Sequence, residues 1–136
     1  MIIPAGNHDG YSNAWPTLTN QMMQVTALTI DEKRHFVVAT NEDHKGFKNI
    51  AMLGDHVPVT ISTASNSVVQ IMQGSSMAAA LAAGFWILML EYAGQHAISD
   101  HKLWSMVHTK KCAEIINDLH KNYYILNIGK LLTIYS

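Results

Sequence analysis

An α/β layer structure is the fold class this sequence predicts, and three observations carry it. Short β-branched apolar runs, bounded by polar turns, fill the first half of the chain. Those runs read as continuous rather than alternating, as strands covered on both faces do. A long segment rich in Ala, Leu and Met follows, apolar on nearly every face, as expected of a buried helix laid on a sheet.

Taken in order, "MIIPAGN" reads as a short buried strand ending in a turn at Gly6-Asn7. A chain that opens inside a core strand has the look of a truncated one, and no signal peptide is visible. Residues 8–21 form a loop rich in Gly, Asn, Ser and Pro. Residues 22–31 are a strand ending at the charged turn "DEKR", and 35–40 a second short strand before the polar loop "NEDHKGFK". Residues 49–54 and 57–63 are further strands. Residues 67–72, after the turn "ASN", are a short strand, and 68–72 complete a hairpin with 59–63.

The pattern then changes. Residues 77–92 contain good helix formers and no proline, predicting one continuous, central, buried helix. Ser99-Asp100 is an N-cap signature opening a short amphipathic helix. In "KKCAEIINDLHKN" the residues Cys112, Ile115, Ile116 and Leu119 repeat at helical spacing, which predicts another helix. The end, "YYILNIGKLLTIYS", reads as strand-like or extended.

At 136 residues the chain is one domain or part of one. The apolar fraction of 49% excludes a disordered chain. Net charge is −1 and the basic residues are scattered, the densest clusters being "HKGFK" and Lys110-Lys111, so no nucleic-acid partner is expected. Cys112 is the single cysteine, which rules out an internal disulfide and leaves the redox compartment undetermined. The histidines His96, His101 and His108 fit no standard zinc spacing, so neither a metal nor a cofactor is expected.

The serines in front of the long apolar segment pose the functional question. Ser75 or Ser76 can cap a buried helix, which is the usual meaning of Ser before an apolar run. They can also flank a membrane span, since the uncharged stretch 74–91 lies at the lower edge of spanning length. Its flanks lack a Lys/Arg asymmetry, which argues against a membrane partner. In the third reading Ser76 is a nucleophile. A serine hydroxyl needs a neighbouring base, and the developing oxyanion needs fixed donors. A serine in the first turn of a helix offers its own unpaired N–H and the positive end of the helix dipole. Asn7, on a turn after a buried strand, can supply a second, uncharged donor, or be a turn residue only.

Together the two blocks resemble the subtilisin-like serine proteases, the subtilases. The family's nucleophile block reads G-T-S-M-A-x-P-x-x-A-G, and here Gly74-Ser75-Ser76-Met77-Ala78-Ala79-Ala80-Leu81-Ala82-Ala83-Gly84 stands in its place. The family's A-G-N block after a buried strand is matched by Ala5-Gly6-Asn7. Asn7 and Ser76 are 69 residues apart, close to the family's separation. Residues 22–31 resemble its "VI.VGA.D" strand and 57–63 the strand before its hairpin, while the tail resembles the C-terminal helices of fungal members. The resemblance implies that residues 1–136 are the C-terminal part of a subtilisin-like peptidase domain: a partial parallel sheet, a hairpin and a central buried helix. It implies Ser76 as nucleophile, Asn7 as side-chain oxyanion donor, and Ala5 and Gly6 as walls of the pocket for the substrate residue before the cut.

The departures from the family pattern are informative. Ser75 replaces Thr, and Ala80 replaces a Pro that is optional early in a helix. The family order is Asp, His, Ser, with Asp and His upstream of the Asn. The eight histidines here all follow Asn7, and none sits in an H-G-T-like block. The pairs Asp43-His44, Asp55-His56 and Asp100-His101 read as loop and cap residues. The expectation is therefore a serine endopeptidase fragment without its Asp and His, inactive alone. Its partners are a peptide or protein substrate and the N-terminal half of the domain. The alternatives are a non-catalytic binding module derived from a subtilase, or a small single-span membrane protein. Family members are often secreted.

Overall fold

The computed structural model describes residues 1–6, 23–39, 50–118 and 121–134. The loops expected at 8–21 and 41–48, and with them Asp43-His44, lie outside the described residues.

Strand β2 (Met23–Ile30) organises the structure. Its residues from Met23 to Leu28 are all buried, the polar Gln24 and Thr26 together with the apolar Met23, Val25, Ala27 and Leu28, as in a strand covered on both faces. On one side it pairs in parallel with β1 (Ile2–Pro4), on the other in parallel with β4 (Ile50–Leu53). The short strand β3 (Phe36–Val38) returns antiparallel along the end of β2. Beyond β4 the sheet continues through β8 (Lys121–Leu126), which is parallel to it, to β7 (Ala113–Asp118), which is antiparallel to β8. The path is β1-β2-β4-β8-β7, with β3 on β2. Strands β5 (Val57–Ser62) and β6 (Ser67–Met72) form the expected hairpin as a separate two-stranded sheet, closed by a Thr63 N–H to Asn66 carbonyl bond of 2.7 Å.

Helix α1 (Ser75–Gln95) lies on β1, β2 and β4. Ala78, Ala82, Met89 and Ala93 pack on Met23, Val25, Ala27, Ile50 and Met52. Helix α2 (Asp100–Met106) adds Leu103 and Met106 to this core, and helix α3 (Ile128–Ile134) adds Leu131. On the opposite face of the sheet Leu28, Ala51 and Tyr123 form a smaller core with Val38 and Ile116. The Val38 N–H donates to the Asp118 carboxylate at 2.7 Å and ties β3 to the tip of the β7–β8 hairpin.

Three expectations need correction. The long helix is continuous, but it is buried on one face instead of all round: Ile87 is 64% and Leu88 51% exposed. Its apolar periphery outruns what the described elements cover. The helix expected around Cys112 is strand β7, because Ile115 and Ile116 pair with Tyr124 and Tyr123 of β8, and cross-strand pairing overrides the helical spacing. The end of the chain, expected to be strand-like or extended, is strand as far as Leu126 but helix α3 after it. Ser99 does cap α2, its hydroxyl accepting the Lys102 N–H at 3.2 Å.

Candidate active site

The parallel strands β1, β2 and β4 end at a common edge, where α/β proteins place their ligands. Helix α1 begins at this edge. Its N-cap is Gly74, at φ 132°, a backbone conformation open to glycine and costly for other residues. Neither serine is the cap. Ser75 and Ser76 are the first two helical residues, and no side chain caps the helix.

The two serines face different ways. Ser75 is buried, and its Oγ accepts the N–H of Gly6 at 2.9 Å. Ser76 is exposed. Among the described residues its N–H and its hydroxyl have no hydrogen-bond partner. The first turn contains no acidic residue to offset the positive end of the helix. A side-chain oxygen and a free helical N–H thus stand in the open at the carboxyl edge of the sheet.

Ala5 and Gly6 reach the same place from β1. The buried Ala5 donates its N–H to the Val25 carbonyl at 2.8 Å, so the ladder with β2 runs past Pro4. Gly6 takes φ 116°, turning the chain out of the strand as it bonds Ser75. Residues 5–6 and 75–76 are therefore brought together, although half of the chain separates them. Asn7 lies outside the described residues.

Strand β4 adds a third contribution. The Gly54 carbonyl accepts the Gly74 N–H at 2.6 Å. The next residue, Asp55, accepts the Thr29 hydroxyl at 2.6 Å and meets the His56 Nδ1 at 3.0 Å. The Thr29 hydroxyl first, and then the His56 ring and N–H, hold the Asp55 carboxyl below its usual range against partial burial, which pushes it up. The His56 ring is 84% exposed. Asp55-His56 is thus a loop pair at a strand end. His96 and His108 bond the carbonyls of Tyr92 and Trp104 through Nδ1, one turn back. No described histidine is hydrogen-bonded to Ser76. Cys112 is fully buried, and burial pushes its thiol up, with Lys111 opposing.

The sequence profile of the Subtilase family matches residues 1–122. This chain belongs to the subtilase family. The match runs from β1 through α1 to the start of β8, so the mixed sheet with its helices is part of a subtilase fold and the chain is related to serine proteases. A search of curated proteins finds no match.

Two features of the subtilase edge escaped the sequence reading. Ser75 looked like a substitute or a cap, while its buried hydroxyl is a bolt between β1 and α1. Gly54 looked like the end of a strand, and it is the acceptor that holds the helix cap. A lone Gly closing the apolar run "NIAML" was the available signal for close backbone approach.

Proposed function

We propose that the chain is the nucleophile-bearing half of a subtilisin-like serine endopeptidase. Ser76 attacks the peptide carbonyl, and the Ser76 N–H and the Asn7 side-chain amide hold the oxyanion. Ala5 and Gly6 line the pocket for the substrate residue before the cut. The observation that supports this reading is the Gly6–Ser75 hydrogen bond, which joins the residue before Asn7 in sequence to the residue before Ser76.

The general base and its orienting Asp are assigned to a polypeptide segment outside these 136 residues. The same segment covers the outer face of α1, where Ile87 and Leu88 are exposed, and extends the sheet at β1, which among the described residues has a neighbour on one side only. Alone, the chain retains at most the residual catalysis of an oxyanion hole.

The test is a complementation assay. The chain is expressed alone and together with an N-terminal subtilase segment carrying Asp and His. A broad-range peptide substrate and a fluorophosphonate probe report activity. The expected result is no appreciable turnover alone, and turnover with probe labelling in the complex that Ser76→Ala abolishes. Robust turnover by the chain alone, lost in Ser76→Ala, overturns the division of labour and makes His8 the first base to mutate. A complex that forms but never labels at Ser76 overturns the catalytic reading and favours a subtilase-derived binding module.

A further inference from the structure

The end of β4 carries a glycine that does not need to be one for its own backbone. Gly54 is absent from the residues with positive φ, so an alanine meets no conformational penalty there. The obstacle is space. A Cβ on Gly54 would stand 2.6 Å from the Ala27 Cβ and 2.8 Å from the Gly74 carbonyl oxygen. Real Cβ atoms do not approach backbone so closely.

This closeness has a chemical consequence. The Gly54 N–H donates to the Leu28 carbonyl of β2 at 3.0 Å, and the Gly54 carbonyl accepts the Gly74 N–H at 2.6 Å. The Gly74 carbonyl in turn accepts from Met77 at 3.1 Å and Ala78 at 3.4 Å. A continuous chain of backbone bonds thus runs from β2 through Gly54 and Gly74 into the first turn of α1. Gly74 is two residues before Ser76. The helix mouth is moored at two points, to β1 through Ser75 and to β4 through Gly54, on either side of β2.

We infer that Gly54 is a positioning residue for Ser76: the absence of its side chain lets the end of β4 clamp Gly74, and the clamp fixes where the first turn of α1 presents Ser76. This rests on the reading of Ser76 as the nucleophile. A displacement of the cap by the width of a methyl group exceeds the tolerance of a preorganised oxyanion site.

The experiment compares the 136-residue chain with Gly54→Ala, Ala27→Gly and the double variant. Residue-resolved amide hydrogen exchange and the 15N shift of Ser76 are measured. In Gly54→Ala the Gly74 amide, with Met77 and Ala78 behind it, exchanges about tenfold faster, the loss expected for one backbone hydrogen bond. The Ser76 shift moves with it. The double variant removes the Ala27 methyl but leaves the 2.8 Å contact with the Gly74 oxygen and the milder 3.1 Å contact with the Ala27 Cα. Its β2 and β4 amides therefore return most of the way to the rates of Ala27→Gly alone, while Gly74 stays fast and Ser76 stays shifted. Recovery of Gly74 together with the sheet would show a general packing effect and overturn the inference. So would a Gly54→Ala protein whose Gly74 exchange and Ser76 shift are unchanged. Should Gly54→Ala alone fail to fold, the double variant against Ala27→Gly carries the same comparison. None of these readouts involves peptide hydrolysis, so they fail or succeed apart from the complementation assay.

Discussion

The Gly6 N–H donates to the Ser75 Oγ at 2.9 Å, joining the end of β1 to the first turn of α1 across 69 residues. Ser75 is 1% exposed, so water cannot replace it. Ser75→Ala leaves the Gly6 N–H without this acceptor and is expected to cost about 1–2 kcal/mol of stability. Ser75→Thr keeps the hydroxyl and costs less. Urea unfolding of the three proteins measures this. Equal midpoints for Ser75→Ala and the parent chain would show that the bond contributes nothing.

Helix α1 ends in a Schellman motif with the wrong residue in its special position. The Ile98 N–H bonds the Ala93 carbonyl at 2.9 Å and the Ala97 N–H bonds the Gly94 carbonyl at 3.4 Å. Both Ala93 and Ile98 are buried, giving the motif its apolar contact. Ala97 sits at φ 54°, where its Cβ crowds the backbone. Ala97→Gly is expected to raise stability by about 0.5–1 kcal/mol after the added freedom of the unfolded chain is counted. Thermal unfolding is the check, and a lowered midpoint refutes it.

Asp55 gives the chain an acid-sensitive contact. Its folded carboxyl lies below the ordinary value of 3.8, chiefly through the Thr29 hydroxyl. A group with a depressed folded pKa contributes stability that is present above the unfolded value and lost as pH falls through the folded one. The contribution is therefore whole above about pH 5 and fades below about pH 4. Thr29→Val and Asp55→Asn should each lower stability at pH 6 and lose that difference toward pH 2–3. A difference independent of pH rules this contact out as the cause.

How much of this was readable beforehand depended on what each segment asks of its neighbours. β2 was legible because it is rich in β-forming residues and ends at the charged turn "DEKR". The β5–β6 hairpin was legible because both arms and the turn are local in sequence. β7 was not. Cys112, Ile115, Ile116 and Leu119 satisfy a helical period, and only β8, arriving later, makes Ile115 and Ile116 a strand. At the site, the two blocks were recognisable from residue types and spacing. The role of Ser75 was invisible and that of Gly54 only hinted at by a lone Gly after an apolar run, because each depends on a backbone group that the fold brings in from a distant part of the chain.

Gln24 is the polar misfit of the core. It stands in β2 opposite Ile3, 5% exposed, and its Nε2 has no hydrogen-bond partner among the described residues. A buried donor without an acceptor costs about 1–3 kcal/mol. Gln24→Met conserves the shape and removes the donor, so it should stabilise the chain by about 1 kcal/mol. A denaturant midpoint below that of the parent would show that Gln24 has a partner that matters.

The outer face of α1 sets the behaviour of the chain in solution. The helix is 21 residues, long and apolar enough to cross a membrane, yet Ala78, Ala82 and Met89 are packed against the sheet. The opposite side exposes Ile87 and Leu88, and the β5–β6 hairpin separately exposes Val69 and Ile71 at 63% each. Exposed apolar side chains of this size favour association in water. The chain alone is expected to self-associate, and Ile87→Lys with Leu88→Glu to shift it toward monomer without loss of helix content. Sedimentation velocity and far-ultraviolet circular dichroism measure the two properties. Flotation with neutral lipid vesicles supplies the decisive contrast. Parent protein that stays with the aqueous fraction, and a double variant that is monomeric and folded, support an uncovered protein interface. Parent protein that floats with the vesicles, and loses this with the two charges, would mean that α1 meets lipid, and the covering segment assigned above would have no face to cover.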